Sequence, residues 1–179
     1  MEASFNDEHY ELVAACKRGD RQSQFKLYNL YVKAMYNTAL RIVQDEAEAE
    51  DVLQEAFIDA FTRLGDFRQE STFGLWMKQI VVNKSISALR KRKVEWCAIE
   101  TDEFIAEEDT EESDDITFQV ETIKNAINKL PEGYRLVLTL YLLEGYDHQE
   151  IAHILRINEA TSRSQFLRGR KKLLNDLAS

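Results

Sequence analysis

Glu48, Asp51, Glu55 and Asp59 recur at i, i+3, i+7 and i+11. On a helix that spacing sets four carboxylates in one row, opposite an apolar stripe of Val52, Leu53, Ala56, Phe57, Ala60, Phe61 and Leu64. Such a row could do acid–base chemistry or present an acidic face to a basic partner. Catalysis is the poorer fit, because nothing apolar nearby raises a carboxylate pKa and no His or metal motif joins the row. A second group is Asp66-Phe67-Arg68-Gln69-Glu70-Ser71-Thr72-Phe73-Gly74-Leu75-Trp76. Aromatics interleaved with polar and basic side chains suit the unstacked bases of a single strand. Phe67, Phe73 and Trp76 would equally suit a core. Asn83, after Ile80-Val81-Val82, would need a base or a capping hydrogen bond if it were buried.

The third group lies near the C-terminus. At about 100° per residue, Arg163, Ser164, Leu167 and Arg168 fall in one sector, with Phe166 and Leu173 roughly opposite. Two arginines, a hydroxyl and an apolar side chain match the edges of a DNA major groove: Arg to guanine, Ser to several bases, Leu to a thymine methyl. Thr161, Arg170 and Lys171 are placed to bind flanking phosphates. The plain alternative is the polar face of a helical hairpin. The residues before this helix favour the DNA reading. Asp147 and Glu150 form a capping-box pattern that starts a helix over His148–Leu155, with Ile151, Ala152, Ile154 and Leu155 inward. A short turn, Arg156-Ile157-Asn158, follows, and the next helix runs from Glu159 to about Leu177. That is the layout of a helix-turn-helix.

The elements that must carry these groups are helical throughout. Apolar residues recur at three- and four-residue spacing over Tyr10–Arg18 and Arg21–Val43. Ala47–Leu64 reads as a third helix ended by Gly65, and Thr72–Arg92 as a fourth. Glu121–Lys129 ends at Leu130-Pro131-Glu132-Gly133, and Tyr134–Leu143 ends at Glu144-Gly145. No stretch alternates as a strand would. One proline and six glycines in 179 residues also argue against an all-β or loop-rich chain. The two cysteines, Cys16 and Cys97, form no CxxC, which argues against a disulfide framework or a structural zinc. No run is long enough to span a membrane, and no basic-then-apolar leader opens the chain. The expectation is therefore a cytoplasmic protein with no direct membrane insertion.

The net charge of −9 is misleading for a nucleic-acid binder. Residues 94–120 hold eleven acidic residues and no Lys or Arg, and the rest of the chain carries 23 basic against 21 acidic residues. Lys84 to Lys93 contains five bases and no acid. Arg156 to Lys172 contains six bases and one acid. Such stripes bind phosphates even on an acidic chain, although cations also gather at ordinary helix ends. The acidic run Glu107–Asp115 cannot bury a core and repels itself. The fold expected is all-α: two small helical domains joined by an acidic flexible linker, the C-terminal one a helix-turn-helix. The boundaries expected are 1–93, 94–120 and 121–179.

Together these stretches resemble a bacterial RNA polymerase sigma factor of the extracytoplasmic-function type. The resemblance is carried by Ala49-Glu50-Asp51-Val52-Leu53-Gln54-Glu55-Ala56-Phe57, by Phe67-Arg68 through Trp76 to Asn83, and by Leu130-Pro131 with Arg135. It continues through Gly145-Tyr146-Asp147-His148-Gln149-Glu150-Ile151-Ala152 and the run Ala160 to Leu173. It covers roughly 10–93 and 121–177.

The resemblance implies that Glu48, Asp51, Gln54 and Glu55 bind core RNA polymerase on the β′ clamp helices, with the β flap as a further contact. It implies that Phe67, Arg68, Gln69, Glu70 and Ser71, with Trp76 and Asn83, bind the melted minus-ten element of promoter DNA. Thr161, Arg163, Ser164, Leu167, Arg168, Arg170 and Lys171 would bind the minus-thirty-five duplex. An anti-sigma factor is implied as a partner, and neither a cofactor nor an enzymatic activity is expected. The chain departs from the family at Ala160, where Gly is usual, at Ser162, where Val is usual, and at Gln69-Glu70, where Gly-Asp is frequent. Two other readings stay open: a free-standing helix-turn-helix regulator, which leaves the acidic row unexplained, and a sigma-mimicking interaction protein, which leaves Arg163 and Arg168 unexplained. Acidity in the linker would mimic nucleic acid or fold back on the two basic stripes.

Overall fold

The structure is a computed structural model and describes residues 9–97 and 116–178. The chain divides into two compact units, Met1–Val94 and Glu95–Ser179, and no strand occurs among the described residues. The first unit holds helices α1 (Tyr10–Lys17), α2 (Arg21–Val43), α3 (Glu46–Thr62) and α4 (Phe73–Cys97). The second holds α5 (Ile116–Asn128), α6 (Glu132–Leu138), α7 (His148–Leu155) and α8 (Glu159–Ala178).

Short polar side chains start α2, α3, α7 and α8. The Asp20 carboxylate accepts from the amides of Gln22 at 3.3 Å and Ser23 at 3.2 Å, opening α2. The Ser23 hydroxyl donates to the same carboxylate and, as the largest cause, holds its pKa below the usual range. Asp45 accepts from the Glu48 amide at 2.8 Å and so starts α3. The expected capping box is formed in full on α7. Asp147 accepts from the Glu150 amide at 2.8 Å, and Glu150 accepts from the Asp147 amide at 2.9 Å. Asn158 caps α8, accepting from the amide and hydroxyl of Thr161 at 2.7 and 2.8 Å.

Several boundaries differ from the sequence reading. Gly65 does not end α3; it sits within a 3-10 turn over Leu64–Asp66, whose Leu64 is buried. Helix α4 runs on past Arg92 to Cys97 and α5 begins at Ile116, so helix enters both ends of the expected linker. The run Glu107–Asp115 lies outside the described residues. Glu132 and Gly133 belong to α6, because Pro131 precedes its first turn, where a missing amide is harmless. The helix read over Tyr134–Leu143 ends at Leu138 and continues as a π turn over Thr139–Leu143.

In the first unit, the stripe of α3 (Val52, Leu53, Ala56, Phe57 and Ala60) is buried, as are Leu27, Ala39 and Ile42 of α2 and Phe73, Met77 and Val81 of α4. In the second unit, Ile127, Leu130, Leu138 and Leu173 form the core, with Ala126, Tyr134 and Phe166 packed on it. Helix α8 approaches α6 closely at Gly169, where a Cβ would lie 3.0 Å from the Tyr134 Cβ. That backbone approach seats α8 on α6.

Gln44, the residue after α2, holds a left-handed conformation at φ 56°, and Gly145 holds one at φ 81° with nothing within 4 Å of a built Cβ. A side chain at such a position costs about 1–2 kcal/mol. Gln44→Gly should therefore raise the unfolding free energy by up to about 1 kcal/mol, and Gly145→Ala should lower it by about 1 kcal/mol. Urea unfolding of the two variants checks both signs.

Candidate functional site

The acidic face forms because α3 buries its apolar stripe. Asp51, Gln54 and Glu55 are exposed, and Glu48 and Asp59 are half-buried. The row is not a bare strip of charge. Arg92 Nη1 lies 2.9 Å from Glu48 Oε2, and Arg92 Nη2 donates to the Val43 carbonyl at 3.3 Å. Lys84 Nζ lies 2.9 Å from Asp59 and 3.8 Å from Glu55. Two bases of the Lys84–Lys93 stripe thus face carboxylates of α3. Asp51, Gln54 and Glu55, at the middle of the face, are exposed. Ile58 was missed by the sequence reading. It is 67% exposed and, three residues after Glu55, lies on the same side of α3. The same periodicity that grouped the acids could have found it.

The loop after α3 divides its residues between core and surface. Phe67 is 3% exposed. Its ring lies 5.1 Å from that of Trp76 and 6.0 Å from that of Phe73. Buried on its neighbours, Phe67 supports the loop from below. Arg68, Gln69 and Glu70 are exposed, while Ser71 and Trp76 are half-buried. Gln69 is left-handed at φ 60°, which gives a physical reason for the Gly frequent there in the family. Asn83 is exposed on α4, so it needs no buried partner. Lys17 is a second omission of the sequence reading: its Nζ donates to the Phe67 carbonyl at 2.7 Å. No local pattern could reveal a contact between residues so far apart in the chain.

On α8, Arg163, Leu167, Arg168, Arg170 and Lys171 are exposed, Leu167 at 63%. Thr161 and Ser164 are half-buried. The Ser164 hydroxyl donates to the Thr161 carbonyl at 3.0 Å, and Arg163 Nε donates to Glu159 Oε1 at 3.1 Å. Ser162 is fully buried, and its hydroxyl lies 2.9 Å from His148 Nδ1. A polar residue in place of the family's usual Val therefore meets a polar partner on α7. The His148 ring stacks on Tyr141 at 4.7 Å, and both rings contact Phe166. The π turn that carries Tyr141 thus joins the support of the two helices. Tyr146 nearby has its pKa pushed up to about 12, first by burial and then by Glu144 and Glu150.

No group of His, Cys, Asp and Glu able to hold a metal ion occurs among the described residues. Nor is any described helix long and apolar enough to cross a membrane.

Comparison with known proteins matches Sigma-70 region 2 to residues 27–95 and Sigma-70, region 4 to residues 121–173. The RNA polymerase sigma-H factor of Pseudomonas aeruginosa is 32% identical over 178 residues, spanning 93% of this chain and 92% of that protein. The ECF RNA polymerase sigma factor SigM of Bacillus subtilis is 30% identical over 151 residues, spanning 83% and 91%. The fold is similar to that of the sigma factor RpoE of Bartonella quintana, solved in complex with the anti-sigma factor NepR. That match has a TM-score of 0.60 at 22% identity and covers 86% of this chain and 95% of that one. An acidic helix face, a loop raised on an aromatic cluster and a helix-turn-helix with an open basic face thus occur in the order of regions 2 and 4. The chain belongs to the sigma-70 family, as an RNA polymerase sigma factor of the extracytoplasmic-function type that directs transcription initiation.

Proposed function

We propose that this sigma factor docks on core RNA polymerase through the exposed face of α3, reads the minus-thirty-five element as duplex through α8, and holds the melted minus-ten strand at the loop after α3. The observation that carries the proposal is that one chain exposes both Asp51, Gln54 and Glu55 on α3 and Arg163, Leu167 and Arg168 on α8. A free-standing DNA-binding regulator has no use for the first face, and a sigma mimic has none for the second. The partners proposed are the β′ clamp helices and β flap of core RNA polymerase, promoter DNA and an anti-sigma factor, and the compartment is the cytoplasm. Its work is binding and strand capture, without catalysis of its own.

Docking through α3 combines charge with an apolar centre. The acids steer a basic partner, and Ile58 supplies area that loses water on contact. The ion pairs from Lys84 and Arg92 keep part of their contact with solvent, and cations of a partner replace the ones given up. At the minus-thirty-five element, Arg163 and Arg168 face base edges, with Ser164 and Leu167 between them, while Thr161, Arg170 and Lys171 face phosphates. Arg163 must leave Glu159 to reach a guanine, another exchange of an exposed pair. At the minus-ten element, the exposed Arg68, Gln69 and Glu70, the half-buried Ser71 and Trp76 and the exposed Asn83 form the contact surface. Phe67 acts from below.

Asp51→Lys with Glu55→Lys should weaken binding to core polymerase at least tenfold at low salt, with helix content unchanged. Fluorescence titration against core enzyme checks this, and parental affinity would exclude α3 as the docking face. Arg163→Ala should cost about 1–3 kcal/mol and relax selection at one base pair, whereas Lys171→Ala should weaken binding evenly across sequences and flatten its salt dependence. Promoter selection combined with a salt series separates the two behaviours. Arg68→Ala with Asn83→Ala should depress initiation on duplex promoters and spare a pre-melted template, since extruding a base costs a few kcal/mol that the loop must offset. An equal loss on both templates would remove the loop from strand capture.

A further inference from the structure

Helix α1 lies before residue 27, where the match to Sigma-70 region 2 begins, yet it touches the ground beneath the loop from both of its ends. At its C-terminal end, Lys17 Nζ donates to the Phe67 carbonyl at 2.7 Å and stands 5.6 Å from the centroid of the Phe67 ring. At its N-terminal end, His9 Nδ1 lies 2.9 Å from the Tyr31 hydroxyl, and the two rings meet edge-on at 5.6 Å. Tyr31 in turn meets Phe73 edge-on at 5.2 Å, and Phe73 carries the rings of Phe67 and Trp76.

The position of the Lys17 contact matters. Phe67 is the last buried residue before Arg68, Gln69 and Glu70 turn out to solvent. Its carbonyl belongs to the peptide plane shared with Arg68, so a donor on that oxygen fixes the direction in which the exposed stretch departs. The stretch then holds Gln69 left-handed at φ 60°, a conformation that persists only where the surroundings over-determine it. Its exit is held on α4, where the Leu75 amide donates to Thr72 Oγ1 at 3.3 Å. Its entry is held by Lys17, through a charge-assisted hydrogen bond and a cation over a ring.

We propose that α1 is a brace for the loop and that Lys17 is its positioning residue: the ammonium fixes the Phe67 carbonyl, so that a single DNA strand meets the loop already shaped. This rests on the reading of the loop as the minus-ten strand's binding surface. A preformed loop spares the strand the ordering cost of folding it.

Lys17→Met keeps the aliphatic stem and removes the donor and the charge. The full chain, bound to core RNA polymerase, is titrated with a single-stranded oligonucleotide spanning the non-template minus-ten element of a promoter from which the parent initiates. Lys17→Met should bind it five- to tenfold more weakly, with core affinity, minus-thirty-five duplex affinity and thermal midpoint unchanged. In the free variant, amide exchange over residues 68–71 should rise while that of α2 and α3 stays at the parental level. Parental affinity for the strand, parental exchange in the loop, or an equal fall in core and duplex binding would each overturn the brace. Arg68→Ala with Glu70→Ala serves as the control on the underlying reading. If that pair weakens strand binding and Lys17→Met does not, only the brace fails. If the pair also binds as the parent does, the loop is not the strand's surface and the brace falls with it.

Discussion

Helix α3 can bury only one side. Its apolar residues fall on a stripe that packs against its neighbours, and Val52, Ala56, Phe57 and Ala60 vanish from solvent. Burial of that stripe is the constraint on which the first unit depends. Once it is met, the position of every carboxylate on α3 follows, because the turn of the helix leaves Asp51, Gln54 and Glu55 no direction but outward. The same requirement fixes Ile58 among them, an apolar side chain that the core cannot take. What packing left outside is thus an acidic face with one apolar side chain on it.

Charge pairing modifies that face without deciding it. Lys84 and Arg92 of α4 meet Asp59, Glu55 and Glu48 across the α3–α4 contact, and Arg163 meets Glu159 along α8. The Arg163–Glu159 pair is exposed and adds little to stability, while the pairs from Lys84 and Arg92 are partly buried. Their effect is on what the free protein presents. The acidic row is partly satisfied from within, and Arg163 is held along its own helix. A macromolecular partner that brings several charges at once can exchange such pairs, whereas a single small ion gains little by doing so.

Left-handed backbone and close approach collect beside the exposed loop after α3 and beside α8. Gln69 takes a left-handed conformation in the exposed loop, and Arg156 takes another, at φ 56°, in the turn between α7 and α8. Each lies beside a stretch whose direction it sets: the loop residues in one case, α8 in the other. Rigid support stands behind both. The Phe67, Phe73 and Trp76 rings underlie the loop, while the close approach of Gly169 to α6 and the Ser162–His148 contact seat α8. A site built on such supports loses little freedom when nucleic acid binds.

Much of this was legible in the sequence because it is local. Periodicity set the helices and their buried faces, Asp147 with Glu150 set the start of α7, and the sector containing Arg163, Leu167 and Arg168 set the basic face of α8. Each of these depends on residues within a few turns of one another, where backbone geometry leaves little choice. Helix ends were less legible: Gly65 reads as a stop, yet Leu64 is drawn into the core and the chain closes a 3-10 turn there. The burial of Phe67 was not legible for a related reason, since an aromatic in a polar loop looks the same in sequence whether it faces a base or its neighbours' rings. Only tertiary structure decided that Phe67 is buried, that Lys84 and Arg92 are shared with α3, and that Lys17 holds the loop from fifty residues away. Contacts at that separation come from how whole helices pack, and a single sequence carries no local mark of its partners across a core.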